Sequence, residues 1–143
     1  MTRNGMRLRC SRPVLALGAA LVGPACTPGA RVLVHNASAE GVEIAEVRND
    51  ASTRVHALEP GRSQTFGPAV TWHVVGVAGR FELVHPGETF ASRGLHPGAL
   101  YRFQIGKGGC VFALPPDAPF PAERIPEQPP GYPLGPPACR ERE

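Results

Sequence analysis

The feature that most constrains the fold is the alternation of apolar and polar side chains along YRFQIG, residues 101–106. A period of two is typical of a β-strand that buries one face and exposes the other. A glycine-rich GKGG turn follows, and then CVFAL, in which Cys110, Phe112 and Leu114 share a face. Two apolar runs joined by such a turn predict a β-hairpin over residues 101–114.

The same reasoning predicts two further hairpins earlier in the chain. VTWHVVGV and FELVH flank residues 78–80, while RVLVHN and GVEIAEVR flank residues 37–40. In GVEIAEVR the side chain of Val47 falls on the face opposite to Ile44. We therefore expect a β-bulge near residues 45–46, which would return Val47 to the apolar face.

Turn residues divide the middle of the chain into short segments. Pro-Gly occurs at 60–61, 86–87 and 97–98. Each pair predicts a type II turn, because proline presets the first central residue and glycine supplies a positive φ at the second. Helical periodicity is absent from residues 31–114. Seven or eight short strands and no helix longer than two turns predict an all-β fold, a small antiparallel β-sandwich that is Ig-like or related.

The apolar strand positions give a predicted core. It consists of Val32, Val34, Val42, Ile44, Val55, Trp72, Val74, Phe81, Leu83, Tyr101, Phe103, Ile105 and Phe112. Trp72 is the only tryptophan, and an exposed platform for stacking a sugar ring is its alternative role. Because an apolar run follows it, we expect Trp72 in the core.

The chain after the last predicted strand changes character. Ten of the 17 prolines lie between Pro115 and Pro137. Proline has no N–H and a fixed φ, so residues 115–143 are predicted to be an irregular, partly polyproline-like tail rather than a helix or an inner strand. With the segments discussed next, the predicted organisation is a signal peptide at 1–25, a tether at 26–30, a sandwich domain at 31–114 and this tail.

The first residues have the layout of an export signal. Four arginines lie among the first 12 residues with no acidic residue beside them, an apolar run at 14–22 follows, and small residues end at Ala25. An apolar run of about nine residues is far shorter than the ~20 that a membrane-spanning helix needs. A buried core helix is the alternative, but no later helix is predicted that could pack on it.

Gly23-Pro24-Ala25-Cys26 resembles a bacterial lipobox, in which a small residue precedes a cysteine that becomes diacylated. The resemblance covers about the first 26 residues and implies a bacterial lipoprotein with lipid on Cys26. Two acyl chains suffice for stable membrane anchoring. Cleavage by an ordinary signal peptidase, with Gly23 and Ala25 as its small residues, is the alternative.

Cysteine parity bears on the same question. Cys10 leaves with the signal, so Cys26, Cys110 and Cys139 remain, an odd number for an exported chain. An odd exported cysteine needs a partner or a modification. Lipid on Cys26 leaves Cys110 and Cys139 as a predicted disulfide, which would fold the tail back onto the sandwich.

The charge distribution excludes one class of partner. Four of the 15 basic residues leave with the signal, so 11 face 12 acidic residues and the net charge becomes −1. Binding to nucleic acid needs a cluster of positive side chains, and the later arginines are scattered singly. We expect no nucleic-acid partner.

The sequence predicts no metal site, no cofactor and no catalytic residues. Histidines occur at 35, 56, 73, 85 and 96, never two within five residues, whereas metal sites use tighter spacings. His73 and His85, across the turn at 78–80, are the best available pair. The serines at 38, 52, 63 and 92 include none in a G-x-S-x-G elbow.

These observations predict a non-catalytic protein of the bacterial cell envelope. It would be held to a membrane by its lipid anchor, or else secreted, and would bind or brace an envelope protein or glycan. A periplasmic metal or small-ligand binder is the first alternative, and a small secreted enzyme is the second.

Overall fold

The computed structural model of the chain describes residues 30–84 and 100–141. Within them the chain forms eight strands: β1 Arg31–Asn36, β2 Val42–Val47, β3 Thr53–Leu58, β4 Ser63–Phe66, β5 Thr71–Gly76, β6 Gly79–Glu82, β7 Leu100–Ile105 and β8 Val111–Leu114. In these described ranges there is no α-helix, and short 3-10 turns cover Lys107–Gly109 and Pro137–Cys139.

The strands form two four-stranded sheets around one core. The first sheet has the order β4-β1-β7-β8 and the second the order β3-β2-β5-β6. All neighbours are antiparallel except β1 and β7, which run parallel from Arg31 opposite Leu100 to Asn36 opposite Ile105. The predicted fold class, a small all-β sandwich rich in antiparallel pairs, is confirmed.

Two of the three predicted hairpins are confirmed, β5 with β6 and β7 with β8. The third is wrong, because β1 lies in the first sheet and β2 in the second. Both edges of β1 are already occupied by β4 and β7. The fully buried side-chain amide of Asn36 donates to the carbonyls of Glu40 at 2.8 Å and Leu58 at 2.9 Å, which holds the linker as a crossing between sheets.

The predicted bulge in β2 is also wrong. The register with β3 is unbroken from Val42 opposite Leu58 to Val47 opposite Thr53. Glu46, rather than Val47, therefore shares the inner face with Ile44, and Glu46 is only 6% exposed. A polar residue is tolerated there because its carboxylate is hydrogen-bonded, so no extra residue is needed to restore an apolar pattern.

Most of the predicted core is confirmed. Buried members of the cluster between the sheets are Val32, Val34, Val42, Ile44, Trp72, Val74, Leu83, Phe103 and Ile105. Tyr101 is half-buried and packs against this cluster, and Phe81 is half-buried. Val55 was predicted wrongly: it is 57% exposed, because it lies opposite Ala45 on the outer face of β3, an edge strand.

The inner face of β8 differs from the prediction. Val111 and Ala113 belong to the core cluster, so Phe112 alternates onto the outer face, where it is half-buried. Leu114 also lies on that outer face and is fully buried. Both faces of β8 are covered, and for this reason a two-residue pattern does not distinguish inside from outside.

The covering element is the proline-rich tail. Tyr132 joins the core cluster, where its ring stacks on Phe103 with centroids 5.8 Å apart, and its hydroxyl donates to the carbonyl of Val84. On the outer face of the first sheet, the Gln104 amide exchanges two hydrogen bonds with the backbone of Ala122, at 2.8 and 3.1 Å. The tail is thus part of the packed domain.

The tail also pairs with the free edge of β8. Val111 and Leu134 exchange two backbone hydrogen bonds, at 2.8 and 2.9 Å. The side-chain amide of Gln128 accepts from the N–H of Ala113 at 2.9 Å and donates to its carbonyl at 3.1 Å. Unpaired edge groups are a template for association with other chains. These contacts remove that template along β8.

One predicted turn can be compared with the structure. At Pro60-Gly61, the N–H of Arg62 donates to the carbonyl of Glu59 at 3.1 Å, and Gly61 has φ of 73°. These are the features of the predicted type II turn. The Pro-Gly pairs at 86–87 and 97–98 lie outside the described residues.

Candidate functional site

The predicted disulfide is present in the structure. Cys110 precedes β8 and Cys139 ends the last 3-10 turn, with their Cα atoms 5.6 Å apart. Both cysteines are buried, 5% and 3% exposed. The disulfide joins the end of the tail to the β7–β8 turn. The predicted lipidation residue, Cys26, lies outside the described residues.

Of the two candidate metal ligands, the structure describes only His73. His73 lies on the outer face of β5, with its Nε2 4.0 Å from an Oε atom of Glu82 on β6. Its Nδ1 is buried and has no hydrogen-bond partner among the residues that the structure describes. His85 lies outside the described residues, so the pair stays a prediction. Within residues 30–84 and 100–141, no three His, Cys, Asp or Glu side chains are grouped as metal ligands.

Sequence reasoning did not identify the pair formed by Glu46 and His56. His56 Nε2 lies 3.1 Å from Glu46 Oε2, and the N–H of Gly67 donates to Glu46 Oε1 at 2.5 Å. The His56 side chain is 30% exposed and its ring packs against Phe66. The carboxylate binds a backbone group of the β4–β5 linker, so this arrangement holds one end of the sandwich together.

His35 lies beneath the tail on the outer face of β1. Its Nδ1 is 2.8 Å from the hydroxyl of Ser63, and its ring meets Phe120 edge-on at 5.2 Å. Burial lowers the pKa of the His35 imidazole below its usual value. The neutral ring is therefore favoured at this position in the folded protein.

The two ends of the sandwich differ. At the end where β1 begins, the described chain starts at Ala30 and the β4–β5 linker packs near Trp72. We call this the tether end. At the other end, which we call the loop end, the segments 37–40, 77–79 and 107–109 surround a cavity of about 650 Å³. Binding residues are often carried on loops that a rigid scaffold positions.

The loop-end cavity reaches between the sheets. Core residues Val42, Val74 and Ile105 form part of its wall, and Phe81 and Val77 extend the apolar lining toward solvent. Val77 is 85% exposed, the highest exposure among the large apolar side chains described. A concave, mostly apolar cavity of this size with few polar groups has the form of a small-ligand site.

The three loops of this end are fixed by different contacts. The side chain of Asn36 binds the N–H of Ser38 at 3.0 Å and the carbonyl of Glu40 at 2.8 Å, which holds the first loop. The turn at 107–109 is adjacent to the disulfide. At Gly109, an added Cβ would lie 2.6 Å from the Cβ of Ala78, so glycine permits the second and third loops to touch. The cavity is therefore preorganised.

Two opposite charges lie at the rim of the loop-end cavity. Glu40 belongs to the first loop and Lys107 to the third, and both side chains are exposed. Among the described residues neither takes part in an ion pair. The cavity thus combines an apolar interior with one negative and one positive side chain among its exposed lining residues.

A second cavity, the tail groove, lies between the outer face of the first sheet and the tail. Its volume is about 740 Å³, and Phe112, Gln128 and the disulfide are among its walls. Glu123 and Glu127 of the tail and Lys107 of the turn line it as well. Several of its polar groups already serve the fold: Gln104 binds Ala122, and Gln128 binds Ala113.

No sequence signal identified either cavity, because each is built from segments distant along the chain.

Among residues 30–84 and 100–141, no helix has the length and hydropathy of a membrane span. Comparison with family models, curated proteins and solved structures finds no match.

Proposed function

We propose that this chain is a non-catalytic binding module of the bacterial cell envelope, held at a membrane by lipid on Cys26. The observation that carries the proposal is that the predicted anchor and the cavity lie at opposite ends of the sandwich. Only residues 27–30 separate Cys26 from the first strand, which begins at the tether end. The loop-end cavity lies beyond the other end of that strand.

The geometry suits a module that presents its binding surface away from a membrane. The six residues of β1 span roughly 20 Å at about 3.3 Å per residue. A protein anchored at Cys26 would therefore hold the loop end at about that height above its tether end. Anchoring through residues close to one end leaves the opposite loops accessible to an envelope protein or another ligand.

The disulfide supports export. Disulfides form and persist in oxidising compartments outside the cytosol. The bond between Cys110 and Cys139 uses the last two cysteines of the chain, so Cys26 is left as the single cysteine of the exported protein without a disulfide partner.

Metabolic labelling tests the anchor. Cells that express the chain are supplied with a labelled fatty acid, and the protein is isolated and fractionated. We expect label on the wild type in the membrane fraction, no label on Cys26→Ala, and label retained by the matched variant Cys139→Ser. An unlabelled wild type would overturn the anchoring, and the protein would then be a secreted module.

A small-ligand binder is the second candidate function. The loop-end cavity favours it, because an apolar wall with few polar groups at its mouth is typical of ligand sites. The two candidates differ in the size of what is bound, and both place the binding surface at the loop end.

A further inference from the structure

The loop-end cavity combines a preformed apolar interior with two charges of opposite sign, neither of which forms an ion pair with another described residue. Val42, Val74, Phe81 and Ile105 supply apolar surface, while Glu40 and Lys107 lie at the rim. Both charged residues are exposed, so neither needs a ligand for the protein to fold. Their signs and positions therefore describe the ligand that would complement them.

A ligand of one charge would be attracted by one rim residue and repelled by the other. An anionic amphiphile would meet Lys107 but approach Glu40, and a cationic amphiphile would do the reverse. A molecule with both charges and an apolar body satisfies both groups at once. Complementary charges of this kind select between partners more than they add affinity.

We propose that the loop-end cavity binds short apolar peptides with free termini, the α-ammonium group beside Glu40, the α-carboxylate beside Lys107 and the side chains inside the cavity. The proposal rests on the proposed function, a binding module, and names its ligand class. A cavity of about 650 Å³ falls within the range of sites that enclose small ligands.

The hydrogen bonds of the loops support a site that exists before the ligand arrives. Asn36 fixes the backbone at Glu40. The N–H of Gly109 donates to the carbonyl of Gly106 at 3.1 Å, and the N–H of Gly106 donates to the carbonyl of Cys110 at 2.8 Å. These two hydrogen bonds fix the turn that carries Lys107. Because little ordering is needed on binding, modest contacts suffice for measurable affinity.

The experiment measures peptide binding by calorimetry and by amide chemical shifts. The protein is the full-length chain with Cys26→Ala, exported and purified without detergent, because detergent would compete for an apolar cavity. The probes are di-, tri- and tetrapeptides of leucine and phenylalanine. Each is compared with its N-acetylated form, which lacks the ammonium group, and its C-amidated form, which lacks the carboxylate.

We expect acetylation and amidation each to weaken binding about two- to five-fold, the range of solvent-exposed ion pairs. In Glu40→Gln the penalty of acetylation should vanish while that of amidation remains. In Lys107→Gln the penalty of amidation should vanish while that of acetylation remains. Shift changes should centre on Val77, Gly108 and Gly109.

A matched pair of bulky variants locates the site. Ala39 is exposed and lines the cavity, whereas Ala57 is exposed on β3 and does not. Ala39→Trp should abolish binding and Ala57→Trp should leave it unchanged. Equal effects of the two variants would overturn the assignment to this cavity.

Other outcomes also overturn the proposal. Equal binding of the capped and free peptides would show that Glu40 and Lys107 do not recognise the peptide termini. Improved binding on acetylation would assign the cavity to an anionic amphiphile. No binding at millimolar peptide removes peptides as ligands. These results are independent of the labelling of Cys26, which tests the anchor alone.

Discussion

Glu46 is a carboxylate on the inner face of β2, and the free energy of unfolding depends on its contacts. In Glu46→Ala the N–H of Gly67 loses its acceptor and His56 loses its partner. We expect a loss of about 1–2 kcal/mol, because the Gly67 donor is part-buried and is left without its acceptor. Glu46→Gln retains an oxygen for Gly67 and should lose less. Urea denaturation measures both.

Glu43 provides the control for this prediction. It lies on the same strand but is exposed on the outer face, so Glu43→Ala should change the free energy of unfolding by less than about 0.5 kcal/mol. If Glu46→Ala and Glu43→Ala were equally mild, Glu46 would not hold the β4–β5 linker.

His35 makes stability depend on pH. Burial lowers the pKa of His35 below its usual 6.5. Its ring contacts Ser63 and Phe120, and Gln104 lies opposite it on β7; all three side chains are uncharged. The unfolded chain therefore binds a proton more readily than the folded one. The stability that neutral His35 contributes is fully present above pH 6.5 and is lost as the pH falls through the folded-state pKa.

The test compares melting temperatures between pH 5 and pH 8. We expect His35→Gln to melt below the wild type at pH 8 and to lose less of its melting temperature toward pH 5. The other histidines are common to both proteins, so their contributions cancel in the difference. Parallel curves would mean that His35 titrates alike in the folded and unfolded chains.

Among the elements, the part of the β8 edge at Ala113 is capped by a single side chain of the tail. Gln128 makes two hydrogen bonds to the backbone of Ala113, which is fully buried. Gln128→Ala should lower the free energy of unfolding by about 1–2 kcal/mol and speed amide exchange at Ala113. Gln64→Ala, at an exposed position of β4, is the control. Unchanged exchange at Ala113 would contradict the edge-capping role.

The sequence predicts elements well where contacts are local and poorly where they are not. The hairpins β5–β6 and β7–β8 follow from alternation and a short turn. The linker at 37–40 looks the same whether it closes a hairpin or crosses between sheets. The linker crosses between the sheets because β7, which begins at Leu100, pairs in parallel with β1 and occupies the edge that β2 would need. No local sequence pattern encodes this long-range pairing.

The contacts of the tail with the sandwich are also between residues distant in sequence, and the sequence predicts them poorly. Its prolines correctly exclude helix and inner strand, because they remove donors and fix φ. They do not indicate that Leu134 pairs with Val111 or that Tyr132 enters the core. The loop-end cavity could not be predicted from the sequence either, since its rim charges, Glu40 and Lys107, are 67 positions apart.

At the scale of the whole molecule, the disulfide closes a loop that contains almost the entire tail. Cys110 and Cys139 are 29 positions apart. Restricting the unfolded chain over such a loop is worth roughly 3.5 kcal/mol by chain entropy. A sandwich of this size buries a limited core, so we expect Cys110→Ser with Cys139→Ser to lower the free energy of unfolding by about that amount. Cys26→Ala, which leaves the disulfide intact, is the control.

The folded state should survive this loss with its tail in place. Leu134, Gln128 and Tyr132 hold the tail through contacts that do not involve sulfur. Amide exchange at Leu134 should therefore stay protected in the double variant under native conditions, while denaturant unfolds it earlier. Rapid exchange at Leu134 in the double variant would contradict this and would make the disulfide the main attachment of the tail. The loop-end cavity would then depend on the bond as well, because Pro136 of the tail lines it.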